Sequence, residues 1–411
     1  MKASHDQEPQ LQPWTEAIID YSGANEYFEA HYGKHPFLES SLSSTPYFGD
    51  DKILEPIYNG RELDIVDEDG LLVASKIATT SNKTSTEVEL SYQVRSLKKY
   101  GMTLIDSPTR VIDWKNRKQI GDIYIQELEQ ILPSLFSTKI KLLSFWNPML
   151  RGENHTISAP LKQNSKDTNA KPKGDNNSLG DAISTANVAS MVHIDTDVGA
   201  YETIDEFLAI VEKNQVRRQE EHGDEFDRSQ YKKEIIDNRK RFAVVNFWRN
   251  TNPLEPITSS PLSILSTRYD HGNILSVGTN PQEGSAHDKL FAFPNVRPDL
   301  EESIWYTFPN MTSNEVLVFY QYDRLVTQPS DLWHCAISMD ENQHDRAADT
   351  EANFETSRKS PRESFDIRAL VVFDEVVEES KDRFQPDRVR PVLSFEESGC
   401  FCDEQAEKRS L

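Results

Sequence analysis

Short apolar runs separated by turn residues fill the second half of the chain. Six of these runs predict β-strands: RFAVVNFWRN, SPLSILS, SIWYTFPNM, EVLVFYQYD, LWHCAIS and SFDIRALVVFD. Three earlier runs predict further strands: ILEPIYN, GMTLIDSP and TKIKLLSFWNPMLRG. So many strands late in the chain favour a β-sandwich or barrel core with helices attached to it.

Apolar residues recur at helical spacing in three segments. One lies around Leu90 to Lys99, and another is YETIDEFLAIVEKNQ. In KQIGDIYIQELEQILPSLF the apolar residues predict an amphipathic helix that ends near Pro133, because proline disfavours continuation of a helix. The chain therefore combines many strands with a few helices.

The organisation of the chain follows from changes in its composition. We predict an N-terminal extension at residues 1–44, a single domain at 45–378 and a charged tail at 379–411. Two polar stretches, at about 155–185 and 339–360, are expected to be insertions into the domain, since they contain too few apolar residues to join a core.

The net charge of −23 argues against nucleic acid and anionic membrane surfaces as partners, because no segregated basic patch is apparent. The chain has three cysteines, no apolar segment typical of a signal peptide, and no run long enough to span a membrane. We therefore expect a soluble cytoplasmic protein. A homodimer and a metal or redox role for Cys400 and Cys402 are left open.

One candidate for metal chemistry is the pair His193 and Asp195. With ten histidines and 68 acidic residues, the bare His-x-acid spacing has little meaning. His193 follows the apolar run NVASMV, however, and on a strand the residues i and i+2 point to the same side. The same spacing at His222 and Asp224 lies in a polar segment and is rejected. Asp197 remains an alternative to Asp195.

A third ligand has to come from a distant segment. His334 lies in the apolar strand LWHCAIS and is the first choice, and His271, in a turn, is the second. Two further histidines look like loop residues: His287 and His344. Two histidines and one carboxylate leave three positions open on an octahedral ion, as in non-haem Fe(II) oxygenases, whereas zinc prefers a tetrahedral site with one open position.

A 2-oxoglutarate enzyme also needs a cation for the distal carboxylate of its cosubstrate, and arginine suits this role. Arg362 and Ser364 are separated by one residue, so on a strand they face the same way. Arg368 lies an even number of positions further along, so on the same strand it would also face this way. For Arg368 a salt bridge and a ligand role are equally compatible with the sequence.

Several ordered motifs between about Pro46 and Asp374 carry a family resemblance: MVHIDTD, VVNFWRNTNPLEPITSSPLSI, WYTFPNMTSNEVLVFYQYD, WHCAIS and PRESFDIRALVVFD. The chain resembles the fungal and bacterial Fe(II)- and 2-oxoglutarate-dependent oxygenases grouped with gibberellin desaturase, the cephalosporin 7-methoxylase component and the fungal meroterpenoid endoperoxidase. The resemblance implies a β-rich α+β fold with a double-stranded β-helix core of the jelly-roll, cupin-like type.

The resemblance also implies a set of site residues. His193, Asp195 and His334 would be the catalytic metal ligands for Fe(II), and Arg362 with Ser364 would bind the cosubstrate 2-oxoglutarate. The motif FWR, which is typical of the group, adds Arg249 together with Trp248 as pocket residues, and Arg368 is kept as a further cofactor-binding candidate. The chain departs from the family at residues 266–268, where an acidic residue is expected and Ser-Thr-Arg stands instead.

The activity implied is an O₂-dependent oxidation, as a hydroxylase or desaturase, of a hydrophobic small molecule in fungal secondary metabolism. Two alternatives remain. A cupin-type metal-dependent isomerase or hydrolase would not consume 2-oxoglutarate, and a non-catalytic barrel protein would serve as a partner subunit.

Overall fold

The computed structural model describes residues 13–20, 52–63, 85–136, 138–152, 183–195, 204–216, 226–266, 274–278, 290–294, 304–325, 332–339 and 361–377. Among these residues, no helix is long and apolar enough to cross a membrane. Most of the described residues belong to two six-stranded sheets and the helices packed on them.

The major sheet contains the long strands, in the order β3-β11-β6-β14-β4-β5. All its neighbouring strands are antiparallel except β4 and β5, which are parallel. Its strands are β3 (Met102–Asp106), β4 (Ile140–Gly152), β5 (Ser184–Ala186), β6 (Lys240–Asn250), β11 (Glu315–Asp323) and β14 (Glu363–Val376).

The minor sheet has the order β12-β7-β10-β2-β1-β13, and only β10 and β2 pair in parallel. Its strands are β1 (Thr15–Asp20), β2 (Lys52–Asn59), β7 (Leu262–Leu265), β10 (Trp305–Thr307), β12 (His334–Ala336) and β13 (Ser338–Met339). A separate two-stranded antiparallel sheet pairs β8 (Ile274–Gly278) with β9 (Leu290–Pro294).

Among the described residues, four α-helices of five or more residues accompany the sheets, with shorter helical turns between them. They are α1 (Ser85–Tyr100), α2 (Ile125–Leu135), α3 (Ile204–Asn214) and α4 (Arg228–Lys232). A π-helical turn, Ile120–Tyr124, leads into α2, and another, Lys233–Asp237, follows α4. The amphipathic helix predicted to end near Pro133 ends at Leu135, with the proline in its last turn.

The two faces of the major sheet bury different partners. One face packs Val245 and Phe247 of β6 against Leu128 and Leu132 of α2. The other face packs Trp248 and other side chains against Ile264 and Tyr306 of the minor sheet. We refer to the face toward the minor sheet as the inner face and to the face toward α2 as the helix face.

The architecture is a double-stranded β-helix core with flanking helices in a β-rich α+β fold, which confirms the predicted fold class. The segment ANVASMVHIDTDV differs from the prediction of a regular strand. Its residues 191–195 form only isolated bridges, of which the antiparallel pair His193 and His334 is one.

A β-bulge in β4 changes which side chains of that strand face inward. Met149 pairs with Asp366 and Trp146 with Arg368, so two residues of β4, Asn147 and Pro148, lie opposite one residue of β14. Asn147 has a φ of 53°, which asparagine tolerates better than most residues.

The bulge reverses the alternation along β4. Phe145 before it and Leu150 after it both pack on the helix face, although they are separated by an odd number of positions. As a result Arg151, which pairs with Ser364, points to the inner face.

We expect Asn147→Val to lower the free energy of unfolding by about 1–2 kcal/mol, because a β-branched residue is strained at positive φ. Asn147→Gly should stay close to the natural protein, since glycine adopts this conformation freely. Urea denaturation of the two variants measures the difference. Equal stabilities for the valine and glycine variants would contradict the role assigned to this backbone conformation.

Candidate metal centre and adjoining cavity

Two histidines distant in sequence are joined by their backbones. The amide of His193 donates to the carbonyl of His334 at 3.1 Å, and the amide of His334 donates to the carbonyl of His193 at 3.0 Å. Residues that exchange both hydrogen bonds in an antiparallel pair project their side chains to the same side. The two imidazole rings accordingly lie with their centroids 4.5 Å apart.

Side chains on either side of His193 point alternately toward the apolar core and toward the candidate metal site. Val192 and Ile194 pack into the apolar cluster of the minor sheet with Trp333. His193 and Asp195 point the other way, toward a cavity. The predicted same-side placement of residues i and i+2 is therefore observed, although the segment is not a regular strand.

Asp195 completes a compact buried group with the two histidines. Its Oδ1 lies 3.7 Å from Nε2 of His193 and its Oδ2 lies 3.5 Å from Nε2 of His334. One ligand atom from each of the three residues falls within 4.8 Å of the others, and all three residues are buried. No other group of this kind occurs among the described residues.

Backbone carbonyls fix the orientation of both imidazoles. Nδ1 of His193 lies 2.7 Å from the carbonyl oxygen of Met191, and Nδ1 of His334 lies 3.0 Å from that of Leu332. A carbonyl can only accept, so Nδ1 carries the proton in both rings. The lone pair of Nε2 is then available toward Asp195, which is the tautomer that metal-binding histidines need.

Charge around the group favours the protonation states that bind metals. Burial lowers the pKa of His193 below its usual value, and the nearby His334 lowers it further. Burial alone would raise the pKa of Asp195, but the Arg368 guanidinium and the two histidines outweigh it and hold that pKa well below its usual range. The site therefore combines a neutral imidazole at His193 with a carboxylate at Asp195.

Two side chains of the major sheet hold the carboxylate of Asp195. Nη2 of Arg368 lies 2.7 Å from Oδ1, and Nε2 of Gln321 donates to Oδ2 at 2.6 Å. Of the two alternatives left open for Arg368, the structure shows the salt bridge. Sequence reasoning missed Gln321, because its partner is 126 positions away and nothing in the local pattern distinguishes it.

A small cavity adjoins the three residues. The apolar part of its wall includes Trp248, Leu262 and Phe319. Arg362 also lines the cavity. A guanidinium therefore shares the cavity with the three candidate ligands.

The predicted pair Arg362 and Ser364 is brought together beside the cavity, with Arg362 on its wall. Nε of Arg362 donates to Oγ of Ser364 at 3.0 Å, and Nη1 donates to the carbonyl of Ser260 at 2.6 Å. The guanidinium carbon lies 5.0 Å from the centre of the Trp248 ring. These contacts hold a buried cation in one orientation beside the cavity.

Arg249 does not reach the cavity, in contrast to the prediction that it lines the pocket with Trp248. Adjacent residues of a strand point to opposite faces, so only Trp248 can face inward. Arg249 lies on the helix face with no exposure, where it donates to the carbonyls of Ser107 and Ser313 and stacks near Trp114. Its contacts stabilise the loops at this end of the sheet.

Two further charged residues line the cavity and were not predicted. Nε of Arg151 lies 2.6 Å from Oδ2 of Asp366, and both side chains face the cavity. Arg151 points inward only because of the bulge in β4, for which the sequence Trp-Asn-Pro was the available signal. Asp366 lies two positions after Ser364 on the same strand, so strand alternation could have predicted that it faces the same way.

The other residues considered from the sequence lie outside the described residues. These are Asp197, His222, Asp224, His271, His287, His344, Cys400 and Cys402.

Comparison with known proteins identifies a family. Residues 74–372 match the family described as oxidoreductase/YMDC permease-like domain. The chain belongs to this family. No curated protein matches the chain. In this chain, the buried group of His193, Asp195 and His334 is a candidate metal site.

Solved structures similar to the chain include the iron and alpha-ketoglutarate-dependent endoperoxidase NvfI, with 18% sequence identity and a TM-score of 0.42. The match covers 67% of this chain and 80% of that protein. A second structure of NvfI, in a different conformation, gives 19% identity, a TM-score of 0.41 and the same coverage.

In the metal-free protein, stability should fall as the pH is lowered from about 7.5 to 5.5, and less so in His193→Asn. The pKa of His193 is lower in the folded protein than the ordinary 6.5, so the unfolded chain binds the proton first in this range. Removing the imidazole should reduce this loss of unfolding free energy by up to about 1.4 kcal/mol. Urea denaturation at both pH values measures this. An identical pH dependence in the two proteins would contradict the lowered pKa.

Proposed function

We propose that the protein is a non-haem Fe(II)- and 2-oxoglutarate-dependent oxygenase. One observation carries this proposal: two histidine nitrogens and a carboxylate converge at a cavity whose wall also holds the guanidinium of Arg362. A metal-ligand set and a carboxylate-binding cation in one buried enclosure suit a metal ion and a dicarboxylate cosubstrate bound side by side.

The donor atoms fit Fe(II). His193 and His334 each present Nε2, and Asp195 presents a carboxylate oxygen. Within the described residues, no fourth histidine, cysteine or carboxylate joins the group. Two histidines and one carboxylate with open positions are the ligand set of non-haem Fe(II) oxygenases, whereas structural zinc sites are closed by four protein ligands.

The cavity wall fits 2-oxoglutarate. Arg362 and Ser364 lie next to each other and offer a permanent positive charge and a hydroxyl to one carboxylate. Nε1 of Trp248, beside them, is buried and has no hydrogen-bond partner in the described structure. A buried donor without a partner at a cavity is readily explained by an acceptor that binds there.

When bound, the metal and cosubstrate would supply the activation of O₂ for oxidation of a substrate C–H bond. The chain contributes binding and orientation. Arg362 would hold the cosubstrate at the end remote from the metal, while His193, Asp195 and His334 hold the metal. The ring of Phe319, edge-on to His334 at 5.1 Å, and the indole of Trp248 keep the wall apolar and limit the entry of water.

The substrate is proposed to be a small organic molecule with an apolar portion next to the metal. Trp248, Leu262 and Phe319 suit such a portion, and the pair of Arg151 and Asp366 offers polar contacts on the same wall. A cytoplasmic location and the hydroxylase or desaturase type of outcome are part of the same proposal.

Succinate release should be detected from the purified full chain with Fe(II), ascorbate and 2-oxoglutarate, because such enzymes turn over slowly without substrate. His193→Ala should reduce release by at least about 10-fold, since it removes a metal ligand. A metal-dependent isomerase would bind metal but leave 2-oxoglutarate intact. If neither Fe(II) nor 2-oxoglutarate binds to the natural protein, the proposal is wrong.

Arg362→Met should weaken binding of 2-oxoglutarate by about 30- to 150-fold, because it removes a charge-assisted contact worth about 2–3 kcal/mol. Metal affinity should change less than about 2-fold, since Arg362 makes no contact with His193, Asp195 or His334 among its described hydrogen bonds. Calorimetry without O₂ measures both quantities.

Arg249→Met is the matched control for this experiment. It removes an equally buried guanidinium that lies on the helix face. We expect it to lower stability by about 2–3 kcal/mol and to leave affinity for 2-oxoglutarate unchanged. Equal weakening in the two variants, or equal loss of metal in Arg362→Met, would contradict the role proposed for Arg362.

A further inference from the structure

We propose that Gln321 and Arg368 are positioning residues that hold Asp195 by its two different oxygens and so prepare it for the metal. We refer to these two side chains as the carboxylate clamp. The inference rests on the proposed metal site and assigns a role to residues that do not themselves contact the ion.

Each oxygen of Asp195 has one clamp contact and one histidine neighbour. Oδ1 lies 2.7 Å from Nη2 of Arg368 and 3.7 Å from Nε2 of His193. Oδ2 lies 2.6 Å from Nε2 of Gln321 and 3.5 Å from Nε2 of His334. A carboxylate oxygen can accept two hydrogen bonds, so the clamp leaves one lone pair on each oxygen for other partners.

The clamp residues stand on the two strands that flank β6. Arg368 pairs with Asn246 in the centre of β14, and Gln321 belongs to β11 on the other side. The register of β11 against β6 shifts between Tyr320 and Tyr322. The shift lets Gln321 reach Asp195 while its neighbour Tyr322 packs with Val244 in a cluster that includes residues of α3. Strands of a buried sheet hold such side chains more rigidly than loops would.

Both clamp residues leave a buried polar atom without a partner. Oε1 of Gln321 and Nε of Arg368 make no hydrogen bond within the described part of the chain. Burying a polar atom without a hydrogen bond lowers stability, and an apolar residue at 321 would avoid this. Side chains that serve only stability usually satisfy all their buried polar atoms. The arrangement is explained if the contact with Asp195 is what the two residues supply.

The consequence is a metal site that is formed before the metal arrives. Without the clamp, the buried carboxylate could rotate away from the histidines. Outer residues that orient ligands in this way are typically worth 10- to 100-fold in metal affinity. The clamp should therefore be visible in metal binding even when no substrate or cosubstrate is present.

The test is a titration of the metal-free full chain with Co(II), followed by the visible absorption of the bound ion. Gln321→Met keeps the length of the side chain but removes the donor, and Arg368→Met removes the charge. We expect each to weaken Co(II) binding by about 10- to 100-fold. In the double variant, the fold-weakening of Co(II) binding should be smaller than the product of the two single effects, because both residues act on one carboxylate.

Two control variants remove similar contacts elsewhere. Arg241 forms a buried pair with Asp323, with contacts of 2.6 and 3.0 Å, and Arg241→Met matches Arg368→Met. The hydroxyl of Thr307 donates to the carbonyl of Leu262 in the minor sheet, and Thr307→Val matches Gln321→Met as the loss of one buried donor. Both controls should lower the melting temperature and leave Co(II) affinity within about 2-fold of the natural protein.

Milder variants keep the test decisive if a clamp variant does not fold. Gln321→Asn retains the amide on a shorter side chain, and Arg368→Lys retains the charge without the planar group. Both should weaken Co(II) binding, Arg368→Lys less than Arg368→Met. If the natural protein binds no Co(II), the proposed metal site fails. If it binds Co(II) and the folded clamp variants bind as tightly, only the clamp is refuted.

Discussion

An ionised carboxylate inside a protein costs several kcal/mol in lost hydration, on the order of the whole stability of a domain, unless charge and hydrogen bonds replace the water. Asp195 is in this position, and the surrounding structure is arranged to meet that requirement. The guanidinium of Arg368, the amide of Gln321 and two imidazole rings all converge on it. These partners come from β11, β12, β14 and the segment before residue 196, so the carboxylate ties together both sheets of the core.

The chemistry of the inner face depends on the two-residue period of the strands and on the places where that period is broken. Along β14, Ser364, Asp366 and Arg368 face inward in a regular series. In β4 the bulge at Asn147 brings Arg151 to the same face, and in β11 a shift brings Gln321 beside Asp195. Regular alternation supplies most of the cavity wall, and the two irregularities add groups that alternation alone would direct elsewhere.

Much of this could be predicted from the sequence. The short apolar strands indicated a barrel or sandwich, and the apolar surroundings of His193 and His334 distinguished them from the other histidines. Strand parity was enough to place Arg362 beside Ser364. Arg249 shows the limit of a motif: parity requires Trp248 and Arg249 to face opposite ways, although the motif suggested both for the pocket. Arg368 was a candidate from the sequence, but its partner Asp195 was not predictable, and Gln321 is identified only by its contact with a distant segment.

The backbone pair between His193 and His334 has a consequence for how the protein folds. The two residues are about 140 positions apart, so the bridge that joins them closes a very long loop, at a larger cost in chain entropy than the pairing of strands close in sequence. A folding intermediate that contains the major sheet alone would lack β12 and with it one imidazole. A metal site made of all three residues therefore requires that the minor sheet has formed as well as the major one.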